Sequence, residues 1–358
     1  MKATQQLHDL GQSLWLDNIT RGLLNQGTLR QYIDTLSITG LTSNPTIFDN
    51  AIRISGLYDA AIRQKTAEGK SGEALFYELA LEDLTQAADL FRPIHDSTSG
   101  VDGWVSLEVS PLLADDTTGS VESALQLHAH AQRPNLFIKL PGTVAGIAAI
   151  EESIFRGVPV NVTLLFSVEQ YLAAAEAYLR GIERRIAAGL DPIVTSVASV
   201  FVSRWDVAVQ DKFPESLRNR LGIAVAGQIY RSYRELLASN RWKKLSAAGA
   251  RAQRVLWAST GTKDPKAPDT LYVEALAAPD TINTLPEPTL QAFAAHGRVD
   301  RVMPTDGGDA DAVLAAFMDA GVDITELAAR LQRDGAVAFA RSWHALLARI
   351  ATSSHGTS

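Results

Sequence analysis

Short apolar runs recur along the whole chain, each closed by glycine, proline, serine, threonine or asparagine. They are SLWLDN (13–18), SITGLTSNP (37–45), WVSLEVSP (104–111), LFIKLP (136–141), PVNVTLLF (159–166), PIVTSVASVF (192–201), RVLWAST (254–260) and TINTLP (281–286). The segments between them have helical periodicity. Within 73–91, Phe76, Leu79, Ala80, Leu84, Ala87, Ala88 and Phe91 fall three or four apart, which is one helix face. The segment 167–188 reads the same way, with Tyr171, Ala174, Ala175, Tyr178 and Leu179 on its stripe. Strands alternating with helices predict a parallel sheet covered by helices on its outer face. Eight repeats favour closure into an α/β fold of the (β/α)8 TIM barrel type over an open doubly wound sheet. No G-x-G-x-x-G follows the first run, which weakens a dinucleotide-binding alternative.

The spacing is uneven. The gaps after Thr42 and after Ser199 are about twice what one helix needs, so each is expected to carry an extra helix. Beyond the last run, 309–319 and 324–350 are amphipathic and should pack over the barrel as C-terminal helices. Asp306, Asp309 and Asp311 superficially suggest a calcium loop, but no glutamate stands at the twelfth position, and Asp309 reads as a helix cap. No linker or charge block divides the chain. One domain over 1–351 is expected, with TSSHGTS (352–358) as a disordered tail.

The bulk composition narrows the function. With 46% hydrophobic and 20% charged residues, the 358-residue chain can bury a large core. Its longest uncharged apolar stretch, around 193–202, is too short to span a bilayer. The N-terminus MKATQQLHDL lacks an apolar core, so a cytoplasmic location is expected, with no membrane partner. The absence of cysteine excludes disulfides, thiolate metal sites and thiol catalysis. His128 and His130 point to different faces of one helix, so no metal site is expected. A net charge of −7 argues against a nucleic-acid surface while leaving room for a local anion pocket. A monomer or homodimer is expected.

In a parallel barrel, catalytic groups sit where strands end. That makes the late polar residue of each run informative. Asp17 closes the first run, Thr42 and Asn44 the second, Glu108 stands late in the third and Lys139 ends the fourth. Asn161 and Thr163 alternate, so both point to one side of their strand. Each has an ordinary structural use: Asp17 as a helix cap, Glu108 as a half-exposed strand end, Asn44-Pro45 as a turn, Lys139 as an edge gatekeeper. The set carries more weight than any member. A lysine ammonium is not nucleophilic, and an apolar wall disfavours the charged form. The free amine can attack a ketone, and the resulting imine is an electron sink for breaking the adjacent carbon–carbon bond. Such a sequence needs one carboxylate beside the lysine and another near the departing hydroxyl. Glu108 and Asp17 are the available pair.

These residues stand in stretches that resemble the transaldolase family. GLTSNPTIF (40–48) is similar to its first signature. NLFIKLPGTVAGIAAIE (135–151) is similar to its second, with the imine-forming lysine inside an apolar strand. VNVTLLFSVEQY (160–171), SVFVSRWD (199–206) and LWASTGTKDP (256–265) resemble its fifth, sixth and seventh strands, and the match runs from about Leu14 to about Phe339. The resemblance implies Lys139 as Schiff-base lysine and Glu108, with Thr163, as holder of a proton-relay water. It implies Asp17 as the base taking the C4 hydroxyl proton, Thr42, Asn44 and Asn161 as sugar contacts, and Ser199 and Arg204 as a phosphate site. In the seventh-strand loop, Ser259 to Lys263 follows the longer bacterial branch, where Lys263 stands for the arginine of compact members. The implied activity needs no cofactor: transfer of a dihydroxyacetone unit between phosphorylated sugars in the pentose phosphate pathway. The related fructose-6-phosphate aldolases carry Gln where Glu108 stands and Tyr where Phe201 stands. An idle barrel that binds phosphosugars is a further alternative, against which the intact Asp17, Glu108 and Lys139 speak.

Overall fold

A computed structural model describes residues 1–210 and 213–355. The eight runs form strands β1 (Ser13–Asp17), β2 (Ile38–Thr42), β3 (Trp104–Glu108), β4 (Leu136–Pro141), β5 (Val160–Leu165), β6 (Ser196–Phe201), β7 (Arg254–Ala258) and β8 (Ile282–Leu285). They close in chain order into one parallel barrel, β1 pairing with both β2 and β8. The sixth strand starts four residues into its run, because Pro192 accepts from Val194 N–H (2.9 Å) in a turn ahead of it.

Strand alternation sends every second residue inward. Trp15 of β1, Trp104 of β3 and Phe137 of β4 meet inside the lower barrel: Trp104 stacks on Phe137 at 4.0 Å between ring centroids, and Trp15 lies 6.2 Å from it. β2 passes this cluster at Gly40, where an added Cβ would lie 2.6 Å from the Trp15 indole, so only glycine fits. Asp102, just ahead of β3, accepts from Trp15 Nε1 (2.8 Å) and from Ser13 Oγ, which ties the barrel floor together. This packed floor confines the reactive groups to the upper end.

Outside, helix Gly72–Ser97 buries the whole predicted stripe from Phe76 to Phe91, and helix Val168–Ala187 does the same for its own. The second opens with a capping box, Ser167 and Gln170 each satisfying a backbone N–H of the first turn. The two long gaps hold more helices than expected. Pro45–Ile54, Asp59–Ala67 and Gly72–Ser97 follow β2, and Ser203–Val209, Leu221–Ala238 and Asn240–Ala247 follow β6. Caps divide stretches whose apolar period is nearly continuous: Ser239, for example, accepts from Trp242 N–H (3.1 Å) between two of them.

Of the two C-terminal helices, only one lies over the barrel as predicted. Ala310–Asp319 packs on Leu221–Ala238 at the outer wall. Its preceding Asp309 makes no side-chain cap and instead pairs with Arg220 (2.6 Å). Helix Ile324–His355 crosses the mouth: Gln332 Nε2 donates to Gly142 O and Leu164 O, both at 2.9 Å, where β4 and β5 end. This helix runs through His355, with Thr352 Oγ1 bonded to Ala348 O (3.0 Å), so the segment 352–355 is not the unstructured tail expected there. The expectation for 356–358 falls outside the described residues.

Candidate active site

The register of neighbouring strands brings the strand-end residues to one level. Asp17 pairs with Thr42, Glu108 with Lys139, and Lys139 with Asn161. All point into the mouth, where a cavity of about 130 Å³ is lined by Asp17, Thr42, Asn44, Lys139, Thr163, Ser199, Phe201, Arg204, Ser259 and Lys263. Glu108 and Asn161 sit directly beneath, bonded to lining residues. A larger cavity, about 780 Å³, lies on the outer wall between Leu221–Ala238 and Ala310–Asp319 and holds none of these groups.

Lys139 is buried, yet its surroundings are not the apolar wall that LFIKLP suggests. Alternation turns Ile138 and Leu140 away and leaves Nζ among polar groups. It donates to Glu108 Oε2 (3.0 Å) and to Ser43 O (2.8 Å). The second acceptor belongs to a residue the sequence reasoning passed over, because a backbone carbonyl leaves no trace in residue type. Asp17 is no helix cap, since Thr20 caps the helix that follows; its Oδ1 accepts from Thr42 Oγ1 (2.8 Å). Asn44 does cap, its Oδ1 accepting from Ile47 N–H (3.0 Å), which leaves its amide for the cavity. Asn161 is fixed on both sides, donating to Ser106 Oγ (3.1 Å) and accepting from Ser199 Oγ (2.6 Å). Ser199 therefore belongs to the Asn161 network. Thr163 Oγ1 is buried and has no hydrogen-bond partner among the described residues.

Burial governs the two carboxyls. It pushes Asp17 above the usual aspartate range, opposed by Lys139, by the Thr42 hydroxyl and by Lys263. It raises Glu108 likewise, against the pull of Lys139 and with a smaller push from the charge of Asp17. A carboxyl raised this way can take a proton from the neighbouring ammonium and release a nucleophilic amine.

At the outer rim, Arg204 opens helix Ser203–Val209 and faces the cavity. Its guanidinium lies 4.9 Å from the Phe201 ring and 5.8 Å from that of Phe339, and it has no anionic partner among the described residues. Desolvation draws its pKa below the usual arginine value, against the opposing charge of Glu108. Ser259 takes a left-handed backbone (φ 56°), with its Oγ 2.9 Å from Ser203 Oγ, and so turns the loop that carries Lys263 toward Arg204. Phe339 and Thr284 are lining residues that the sequence reasoning missed. Thr284 is the late polar residue of the eighth run, so the same rule could have found it. Phe339 reads from sequence as core on a helical stripe.

Fold and site together define a (β/α)8 barrel with a buried lysine–carboxylate pair and a second carboxylate in one closed mouth. The chain belongs to the transaldolase/fructose-6-phosphate aldolase family, whose model matches residues 14–350. It is 43% identical to a transaldolase of Thermobifida fusca (strain YX), with 97% of each chain covered. It is 42% identical to one of Arthrobacter sp. (strain FB24), over 96% of this chain and 95% of the relative. It is also 42% identical to one of Thiobacillus denitrificans, over 98% of this chain and 100% of the relative.

Proposed function

We propose that this chain is a transaldolase that moves a dihydroxyacetone unit from a ketose phosphate, such as sedoheptulose 7-phosphate or fructose 6-phosphate, to an aldose phosphate. The observation that carries the reading is Lys139 bonded to Glu108 in a mouth shared with Asp17. Lys139 Nζ adds to the C2 carbonyl, and Glu108 shuttles the protons that let the carbonyl oxygen leave as water. Thr163 orients that water, a role supported by its buried hydroxyl without a partner among the described residues, in the cavity shared with Lys139. Asp17 takes the C4 hydroxyl proton as the C3–C4 bond breaks. The aldose leaves, and the bond's electrons pass to the iminium, giving an enamine. The enamine then attacks the acceptor aldehyde, and hydrolysis frees the amine. Thr42, Asn44 and Asn161 hold the sugar hydroxyls. Arg204 and Lys263, with Ser259 shaping the loop, take the phosphate.

Phe201 supports transfer over simple aldol cleavage, since it offers no hydroxyl where the resemblance gives the aldolases a tyrosine. Glu108 in place of their glutamine supplies the anion for Lys139. The barrel and its C-terminal helices act as one domain, and the enzyme works in the cytoplasm as a monomer or homodimer. Among the described residues, no helix is long and apolar enough to cross a membrane.

The test is a coupled assay with fructose 6-phosphate and erythrose 4-phosphate, with borohydride added in parallel. Transfer should require acceptor, and borohydride plus ketose should inactivate irreversibly, leaving a reduced three-carbon adduct on Lys139. Lys139→Met should fold and lose both properties. Dihydroxyacetone released without acceptor, at the rate of transfer, would establish the aldolase instead.

A further inference from the structure

Thr284 of β8 has no part in the mechanism above, yet the residue is only 2% exposed and its hydroxyl lies 2.6 Å from Thr42 Oγ1. Thr42 in turn lies 2.8 Å from Asp17 Oδ1. Strand order makes the contact possible. β1 is flanked by β2 and β8, with Asp17 level with Thr42 on one side and Trp15 level with Thr284 on the other. The two threonines meet above Trp15, close against the carboxylate.

Each hydroxyl has a single proton. An ionised Asp17 can only accept, so the Thr42 proton goes to it, and the free lone pair of Thr42 is left to accept from Thr284. The opposite order would have Thr42 donate to Thr284 and leave Asp17 Oδ1 buried without a donor. We propose that Thr284 is a positioning residue: its hydroxyl holds the Thr42 proton on Asp17 Oδ1, which fixes the carboxylate and leaves Oδ2 to meet the substrate hydroxyl. Asp17 Oδ2 makes no hydrogen bond among the described residues, as this division of labour requires. The main chain of the same residue reaches the phosphate side, since Thr284 O accepts from Thr260 Oγ1 (3.0 Å) in the loop that carries Lys263. The inference rests on reading Asp17 as the base for bond cleavage.

Thr284→Val keeps the shape and removes the donor; Thr284→Ser keeps the donor. In the valine variant, turnover should fall on the order of tenfold, as for loss of a hydrogen bond that supports a charged group. The acid limb of its pH profile should move to higher pH, because a carboxylate that loses a fixed donor binds its proton more tightly. Imine trapping by borohydride precedes the Asp17 step and should keep its wild-type rate, which also reports a folded barrel. Serine should restore both turnover and the acid limb, whereas Thr284→Ala, a second way of removing the donor, should reproduce the valine result. Wild-type turnover and acid limb in the valine variant, or a serine variant no better than valine, would overturn the proposal. Asp17→Asn assayed alongside separates the two levels. If it is inactive while valine behaves as wild type, only the positioning role falls; if it turns over normally, the reading of Asp17 falls and takes this role with it.

Discussion

The two carboxylates of the mouth share one chemistry and one environment, and what separates them is the partner each holds. Glu108 is bonded to Lys139, and the proposed mechanism gives it imine formation; Asp17 is bonded to Thr42, and the proposed mechanism gives it cleavage. Glu108→Gln should therefore slow borohydride trapping by about a hundredfold, in the range for loss of a positioned acid–base group. Asp17→Asn should trap normally and stop turnover. Equal trapping rates in the two variants would show that their roles are not divided this way. The direction of both pKa shifts gives a second expectation. The native state holds these protons more tightly than the unfolded chain, so the stabilising effect is full below about pH 4, the ordinary carboxylate value, and is lost as pH rises through the raised native values. In the proposed mechanism activity runs the other way, since Asp17 acts there as an ionised base. Asp17→Asn should then be more stable than wild type at pH 7, with the difference vanishing near pH 4 in thermal melts. At this scale the sequence was informative where a side chain's type is unusual for its setting. A lysine inside LFIKLP is such a case; the Ser43 carbonyl beneath it is not, because every residue has one.

Among the elements, the short helix Ser203–Val209 does two jobs with residues two apart. Arg204 turns into the mouth, while Asp206 turns outward and accepts from Leu221 N–H (2.9 Å), Gly222 N–H (3.2 Å) and Tyr272 Oη (2.8 Å). Asp206 thereby satisfies two first-turn donors of helix Leu221–Ala238 from 15 residues away, and Gly222 leaves room for the contact. Burial lifts this carboxyl to about 6, with its three donors opposing. Asp206→Ala should cost about 2–4 kcal/mol and loosen Arg204, which would raise KM for phosphorylated sugars. Because the native value is raised, wild type should lose part of its margin over Asp206→Asn as pH rises from 4 to 7, by about 2–3 kcal/mol at most. A margin that is flat with pH would mean that Asp206 does not titrate in this window. Strand elements were legible because apolar runs closed by turn residues have few other readings. Helix divisions after β2 and β6 were not, since one stripe can continue across a cap, and the break depends on backbone donors rather than on side-chain polarity.

At the scale of the whole molecule, the last helix links the end of the chain to the residues that begin the chemistry. Ile324–His355 is held at the mouth by Gln332 on the ends of β4 and β5, by Trp343 Nε1 on Glu73 (3.0 Å) and by Arg349 on Asp49 (2.7 Å). Between these anchors, Gly335 passes the site so closely that a Cβ would meet Leu164 at 2.8 Å and Arg204 at 3.1 Å. Phe339 comes one turn later, against Arg204. A guanidinium packed against two neighbouring rings stays oriented in the absence of an anion, so less ordering is left to the moment of binding. Phe339→Ala removes one ring and leaves Phe201, Lys263 and the charge of Arg204 in place. KM for a phosphorylated ketose should rise about 2- to 30-fold, the span expected for a partly desolvated cation–π contact. The kcat should change little, because the phosphate is held equally in ground and transition states. Inorganic phosphate should inhibit the variant more weakly by a similar factor, whereas the rate with unphosphorylated fructose should stay as in wild type. If phosphate inhibits Phe339→Ala as well as it inhibits wild type, the ring only fills space. If fructose turnover falls in step with the phosphorylated substrate, the helix is shaping the whole mouth rather than the anion end of it.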